Sequence, residues 1–143
     1  MILLGMDEVV ARWVSQRIGA EIHPPFTAIG FVNDGKLTAG FVFSDYNGSN
    51  VEVTAATTRY VKKGELLAVC RYVFIQLGCR RVTFRAKASN YRSTAFLQRR
   101  MTYEATLPHY YPDDHAEQYR LLREDCPWLK DLTDEISEAS SAA

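Results

Sequence analysis

Residues 27–55 read TAIGFVNDGKLTAGFVFSDYNGSNVEVTA, and this stretch decides the fold class. Three runs rich in β-formers, 27–33, 37–43 and 51–55, are separated by Asp34-Gly35 and Asn47-Gly48. Each dipeptide supplies the positive φ angles of a tight hairpin turn, so the spacing predicts an antiparallel meander of three strands. In the third run Val51, Val53 and Ala55 share one face and Glu52 and Thr54 the other, because strand side chains alternate.

Toward the N-terminus, Val10, Trp13, Val14 and Ile18 recur at helical spacing behind Asp7, which has the chemistry of an N-cap, and Gly19 suits the end of that helix. His23-Pro24-Pro25 then predicts a rigid extended connector, since proline lacks an N–H and pushes its predecessor out of helical space. Toward the C-terminus the period changes. After a polar, basic loop over 57–63, Leu66, Val69, Cys70, Val73, Phe74 and Leu77 mark one helix closed by Gly78. Val82, Phe84 and Ala86 alternate with Arg81, Thr83 and Arg85 as a strand, and a short helix capped by Asn90 runs toward Arg100. The segments 101–107 and 117–123 are expected to form a closing hairpin around the loop 108–116. A short helix over 127–136 and a frayed tail over 137–143 complete a single domain spanning 1–143.

At 143 residues and 47% apolar, the chain can bury one core without disulfides or a metal. Cys70, Cys79 and Cys126 form an odd set with no C-x-x-C pair, so they read as free thiols packed like small hydrophobes. No window approaches the roughly eighteen uninterrupted apolar residues of a membrane helix. The apolar start, residues 1–4, runs directly into Asp7 and Glu8, unlike a signal peptide. The expectation is a cytoplasmic protein with no membrane partner.

The formal net charge is zero, yet the charges are segregated. Residues 59–100 hold eleven Lys and Arg against the single acid Glu65, a net of +10, whereas from Glu104 onward ten acids face three bases, a net of −7. Either the middle third meets something anionic or the two halves pair on folding.

The order helix, three antiparallel strands, basic loop, helix, strand, helix, hairpin resembles the GNAT acyltransferases. The resemblance is carried by Tyr72-Val73-Phe74-Ile75-Gln76-Leu77-Gly78, the strand to Ala86, then Asn90-x-x-Ser93 and Phe96, and in these the chain is similar to the ribosomal-protein N-terminal acetyltransferase subgroup. Met101 stands where that subgroup has Gly-Phe. The fold implied is α/β (α+β), a mixed, mainly antiparallel sheet of six or seven strands flanked by helices. The activity implied is transfer of an acyl group from acetyl-CoA, or another acyl-CoA, to an unidentified amine, with no metal.

The resemblance also assigns a site. Thr54 and Ala55 would flank a gap between parted strands that takes the pantetheine arm, and Asn90 and Ser93 would line it. Arg59, Lys62, Lys63 and Gly64 would meet the pyrophosphate at a helix N-terminus, where orphan N–H groups and the helix dipole favour anions. The family's loop reads Arg/Gln-x-x-Gly-x-Gly/Ala, and Arg59-Tyr60-Val61-Lys62-Lys63-Gly64 keeps only its arginine and a displaced glycine. An amine is almost wholly protonated at neutral pH, so attack requires a base, and Glu52 is the candidate. Many family members supply a tyrosine as proton donor where this chain has Phe96; Tyr91, Tyr103 and Tyr110 are possible substitutes. The run from His109 to His115 fits no zinc spacing and reads as a polar turn whose tyrosines border an acceptor pocket. A catalytically inactive binding module on the same fold, engaging nucleic acid or a protein through 59–100, stays open as the alternative. Nucleic acid is the less favoured partner because the acidic last third repels a polyanion; a homodimer is also open.

Overall fold

The computed structural model of the chain describes residues 1–129. The meander forms as its turn signals dictate: β2 (Phe26–Asn33), β3 (Lys36–Ser44) and β4 (Asn50–Thr57) pair antiparallel in chain order. Asp34 and Gly35 both take positive φ, 52° and 75°, the geometry of a two-residue turn whose twist matches its strands. The second turn is wider than predicted. Asn47 Oδ1 accepts from the Ser49 and Asn50 N–H groups at 3.0 and 2.8 Å, an Asx turn that leads the chain into β4.

α1 (Asp7–Ile18) fills the predicted span and ends at Gly19, where φ is 65°. Asp7 is not its N-cap. Met6 holds that position, and the Asp7 carboxylate instead accepts from the Ala28 N–H at 2.9 Å, stitching the helix start to β2. A strand that periodicity does not reveal, β1 (Ile2–Leu3), pairs with Phe31 and Gly30 at one sheet edge; two residues are too few to show alternation.

The helix expected to begin near Gly64 starts at Lys63 and then changes pitch. α2 (Lys63–Cys70) passes into a π-helical turn, Arg71–Gln76, after which the Leu77 N–H reaches the Tyr72 C=O at 2.8 Å and Gly78 stops the helix at φ 70°. β5 (Arg81–Lys87) and α3 (Tyr91–Arg100) follow, with Asn90 capping α3 by accepting the Ser93 N–H at 3.3 Å. The closing hairpin is longer than predicted. β6 (Thr102–Tyr111) and β7 (Asp114–Leu122) run through most of the stretch read as loop. Pro108 is tolerated inside β6 because that strand is outermost, where a missing N–H breaks no ladder. The expected C-terminal helix beyond residue 129 and the tail over 137–143 lie outside the described residues.

The strands form one seven-stranded sheet in the order β1-β2-β3-β4-β5-β7-β6, with β4 and β5 parallel and the other neighbours antiparallel. This is the mixed, mainly antiparallel sheet flanked by helices that the resemblance implied. α1 packs on one face over Ala28, Val42 and Ala56, and α2, the π-helical turn and α3 pack on the other over Phe41, Val53 and Phe84. α1 can lie close because Gly30 and Gly40 are cross-strand partners beneath it. A Cβ at Gly40 would stand 2.7 Å from Val14 Cγ2, and one at Gly30 would stand 2.9 Å from Val10 Cγ2, both inside van der Waals contact. Gly40→Ala is therefore expected to lower unfolding free energy by about 1–3 kcal/mol through overpacking, read as a lower denaturant midpoint at unchanged slope.

Candidate active site

β4 and β5 pair from Asn50↔Arg81 to Thr54↔Arg85 and then separate. Each continues on its outer neighbour, β4 with β3 as far as Thr57↔Ala39 and β5 with β7 as far as Lys87↔Ala116. The Thr58 N–H donates to the Thr38 C=O at 2.9 Å, so antiparallel alternation turns the Thr57 N–H and C=O away from β3 and into the gap. These are backbone groups with no strand to meet. The resulting slot is walled by Phe41, Ala55, Phe84, Phe96 and Leu97, with Ser93 on its rim. Its volume is about 40 Å³, room for a water or two.

Arg59, expected to face a phosphate, is turned inward. Its terminal nitrogens donate to both Glu65 carboxylate oxygens at 2.9 and 2.6 Å, and also to Thr38 Oγ1 and the Tyr60 C=O, each at 2.9 Å. Glu65, the third residue of α2, also accepts the Lys62 N–H at 3.0 Å, as a capping-box glutamate does. Burial pushes the Glu65 carboxyl up, but the Arg59 guanidinium and the Lys62 amide outweigh it and hold it below the usual range. Lys62, Lys63 and Gly64 are exposed at the start of α2. Gly64 lines a separate groove with Arg71 and Tyr72, and Asn90 is engaged in its helix cap. Of the predicted cofactor residues, the structure thus brings Ala55, Arg59 and Ser93 to the slot and leaves Lys62, Lys63 and Gly64 outside it.

On the α1 face a second cavity, of about 360 Å³, lies between the connector after α1 and the end of β6. Asp45, Glu52, Thr54, Tyr110 and Tyr111 line it. Thr54 belongs to the last rung and Arg85, its partner, borders the slot, so the two hollows approach each other where the strands part. Glu52 is paired rather than free: Arg85 Nη1 and Nη2 donate to its two oxygens at 2.7 and 2.9 Å. Arg85 Nε donates to Gln118 Oε1 at 2.9 Å, and the guanidinium sits 5.1 Å from the Tyr110 ring. The Arg85 hydrogen bonds hold the Glu52 carboxyl below its usual range, while Asp45, hydrogen-bonded to Glu52, is pushed up. Among the three tyrosines weighed above, Tyr110 lines this cavity, with its hydroxyl 3.3 Å from Arg85 Nη1. Arg85, Glu65 and Arg92 are the site residues that sequence reasoning missed. Each was visible as a charge, but its partner is set by non-local packing.

The charge segregation resolves in part by internal pairing. Arg59, Arg81, Arg85 and Lys87 meet Glu65, Glu104, Glu52 and Asp113 respectively. Among the described residues no group of three or more His, Cys, Asp or Glu is placed to hold a metal ion, and no helix is long and apolar enough to cross a membrane.

No protein-family model matches the chain, and comparison with curated proteins finds no match. Solved structures do match. A provisional acetyltransferase from T. thermophilus superposes with a TM-score of 0.64 over 79% of this chain and 67% of its own, at 17% identity. A GCN5-related N-acetyltransferase from Brucella melitensis gives 0.59 over 74% and 55%, at 15% identity. The ribosomal-protein-S5-alanine acetyltransferase from Vibrio fischeri gives 0.57 over 70% and 63%, at 13% identity. The fold is the GCN5-related N-acetyltransferase fold. At these identities the architecture is what is shared, and the match spans 55 to 67% of those three acetyltransferase chains.

Removing the inward arginine tests the loop of this acetyltransferase fold. Arg59→Ala leaves Glu65 buried without its cation and should cost about 2–3 kcal/mol, below the ~3–5 of a fully buried pair because the Arg59 side chain is 26% exposed. Since the folded Glu65 value lies below the unfolded one, its contribution is present above about pH 4.3 and is lost as pH falls through the depressed value. Denaturation of the variant should therefore lose less stability between about pH 7 and pH 3 than wild type does.

Proposed function

We propose that the chain is an acyl-CoA dependent N-acyltransferase, with acetyl-CoA as the first donor to test and an amine of a small molecule, peptide or modified base as acceptor. The observation that carries this reading is the end of the β4–β5 ladder at Thr54↔Arg85 while both outer ladders continue. A gap edged by unpaired backbone groups accepts an amide-bearing thread as a substitute strand, which is the chemistry of a pantetheine arm. Thr54 and Ala55 flank that thread and Ser93 lies on its rim, while Lys62, Lys63 and the first amides of α2 stand where a pyrophosphate would find positive charge.

The thioester carrier supplies an activated acyl group. In the transfer, the amine nitrogen attacks the thioester carbonyl, a C–N bond forms as the C–S bond breaks, the amine gives up a proton, and the departing thiolate takes one. The acceptor reaches the parting strands from the cavity on the α1 face. There Glu52, kept ionised by Arg85, and its neighbour Asp45 attract the acceptor as an ammonium; Glu52 takes one proton to free the attacking lone pair, and the second, shed as the C–N bond forms, goes to the departing thiolate. The likeness to an S5-alanine acetyltransferase and the Asn90-x-x-Ser93 run put a protein N-terminal amine first among acceptors to assay.

Titration calorimetry with acetyl-CoA tests the reading. A dissociation constant in the micromolar range is expected, and no heat at about millimolar ligand overturns it. In that case, binding of RNA or DNA that weakens steeply with salt would favour the inactive binding module. Once an acceptor is found, Glu52→Gln should lower turnover about 100-fold with coenzyme A affinity unchanged; full turnover in that variant would dismiss Glu52 as the base.

A further inference from the structure

Three arginines border the slot, Arg59, Arg85 and Arg92. The first two are each matched by a carboxylate, Glu65 and Glu52. Arg92, near the start of α3, has no carboxylate partner among the described residues. Its Nη1 donates instead to the Thr58 C=O at 2.7 Å, and its guanidinium lies 5.5 Å from the Tyr60 ring. Those contacts run from α3 to the loop between β4 and α2, whose Tyr60 and Val61 line the slot together with Arg92. Behind them the slot holds only about 40 Å³. The loop is fixed on its other side, by the Arg59–Glu65 pair and by the Thr58 N–H bonded to β3. The exposed contact of Arg92 is therefore the element free to give.

We propose that Arg92 is both latch and ligand: it holds the slot closed in the free protein and exchanges the Thr58 carbonyl for phosphate oxygens of the acyl carrier, so that the site admits phosphorylated pantetheine thioesters and excludes unphosphorylated ones. This rests on the reading of the gap as the carrier site. The direction of exchange follows from charge. A guanidinium bond to a phosphate carries charge on both partners, whereas the bond to the Thr58 carbonyl carries it on the donor alone, and the planar fork suits two phosphate oxygens. A pantetheine without phosphate brings nothing that competes for the guanidinium, so it meets a closed mouth. Lys62 and Lys63, exposed nearby, add to the attraction but do not bridge the opening.

The experiment compares coenzyme A with pantetheine on wild type, Arg92→Ala and Arg92→Lys by calorimetry, with hydrogen exchange of the 58–62 amides alongside. Wild type should bind coenzyme A at least about 30-fold more tightly than pantetheine. In Arg92→Ala the coenzyme A affinity should fall about tenfold, as expected for a lost charge-assisted contact, while pantetheine binds as well as before or better. Exchange over 58–62 should rise, and Arg92→Lys should recover part of the coenzyme A affinity. If Arg92→Ala binds coenzyme A as wild type does, or improves with both ligands equally, the ligand role is overturned while the acyl-CoA reading stands. If wild type binds neither compound, that reading itself fails and takes this one with it.

Discussion

At the Thr54↔Arg85 rung β4 and β5 lose their mutual hydrogen bonds while each keeps its outer partner, and the geometry of the candidate site follows from that divergence. Two antiparallel ladders pull the strands apart, and a twisted sheet has no means of closing the gap without breaking one of them. The rung where pairing stops is itself held firmly, because Arg85 bonds Glu52 on β4 and Gln118 on β7. One side chain thus spans three strands at the point of separation and fixes where the slot begins.

Electrostatics then divides the site into two halves of opposite character. On the α2 and α3 face the slot is apolar inside and bordered by Arg92, which, like the exposed Lys62 and Lys63 at the start of α2, forms no ion pair among the described residues. On the α1 face Glu52 and Asp45 line a roomier hollow. On the function proposed above, an anionic carrier and a cationic amine would be drawn to different faces of one sheet and meet at the break in the ladder. Burial of Glu65 beneath the loop adds a constraint. Its ion pair with Arg59 turns inward the one arginine that the loop pattern offered for phosphate.

The same pairing explains why the charge blocks of the sequence overstate the surface charge of the protein. Arg81 and Arg120 both reach Glu104, and Lys87 reaches Asp113, so basic residues of the middle third are matched by acids of the closing hairpin. What stays unmatched near the slot is small and local, which suits a phosphate group better than a long polyanion.

Much of the architecture was legible because it rests on local rules. Asp34-Gly35 fixed a turn, period two gave the meander, period 3.6 gave α1 and the start of α2, and Asn90 capped its helix as its chemistry requires. The departures occurred where non-local packing overrides propensity. Asp7 left its cap for a strand amide, Pro108 entered a strand because that strand lies at an edge, and the pitch of α2 widened. For the site, sequence determined which residues carry charge and on which face of β4 they lie. Only the tertiary structure decided which charges cancel: Arg59 and Glu65 are six residues apart and meet through the loop, whereas Glu52 and Arg85 are thirty-three apart and meet through a parallel pairing. A sequence lists charges, but the field they produce depends on distances that folding alone sets.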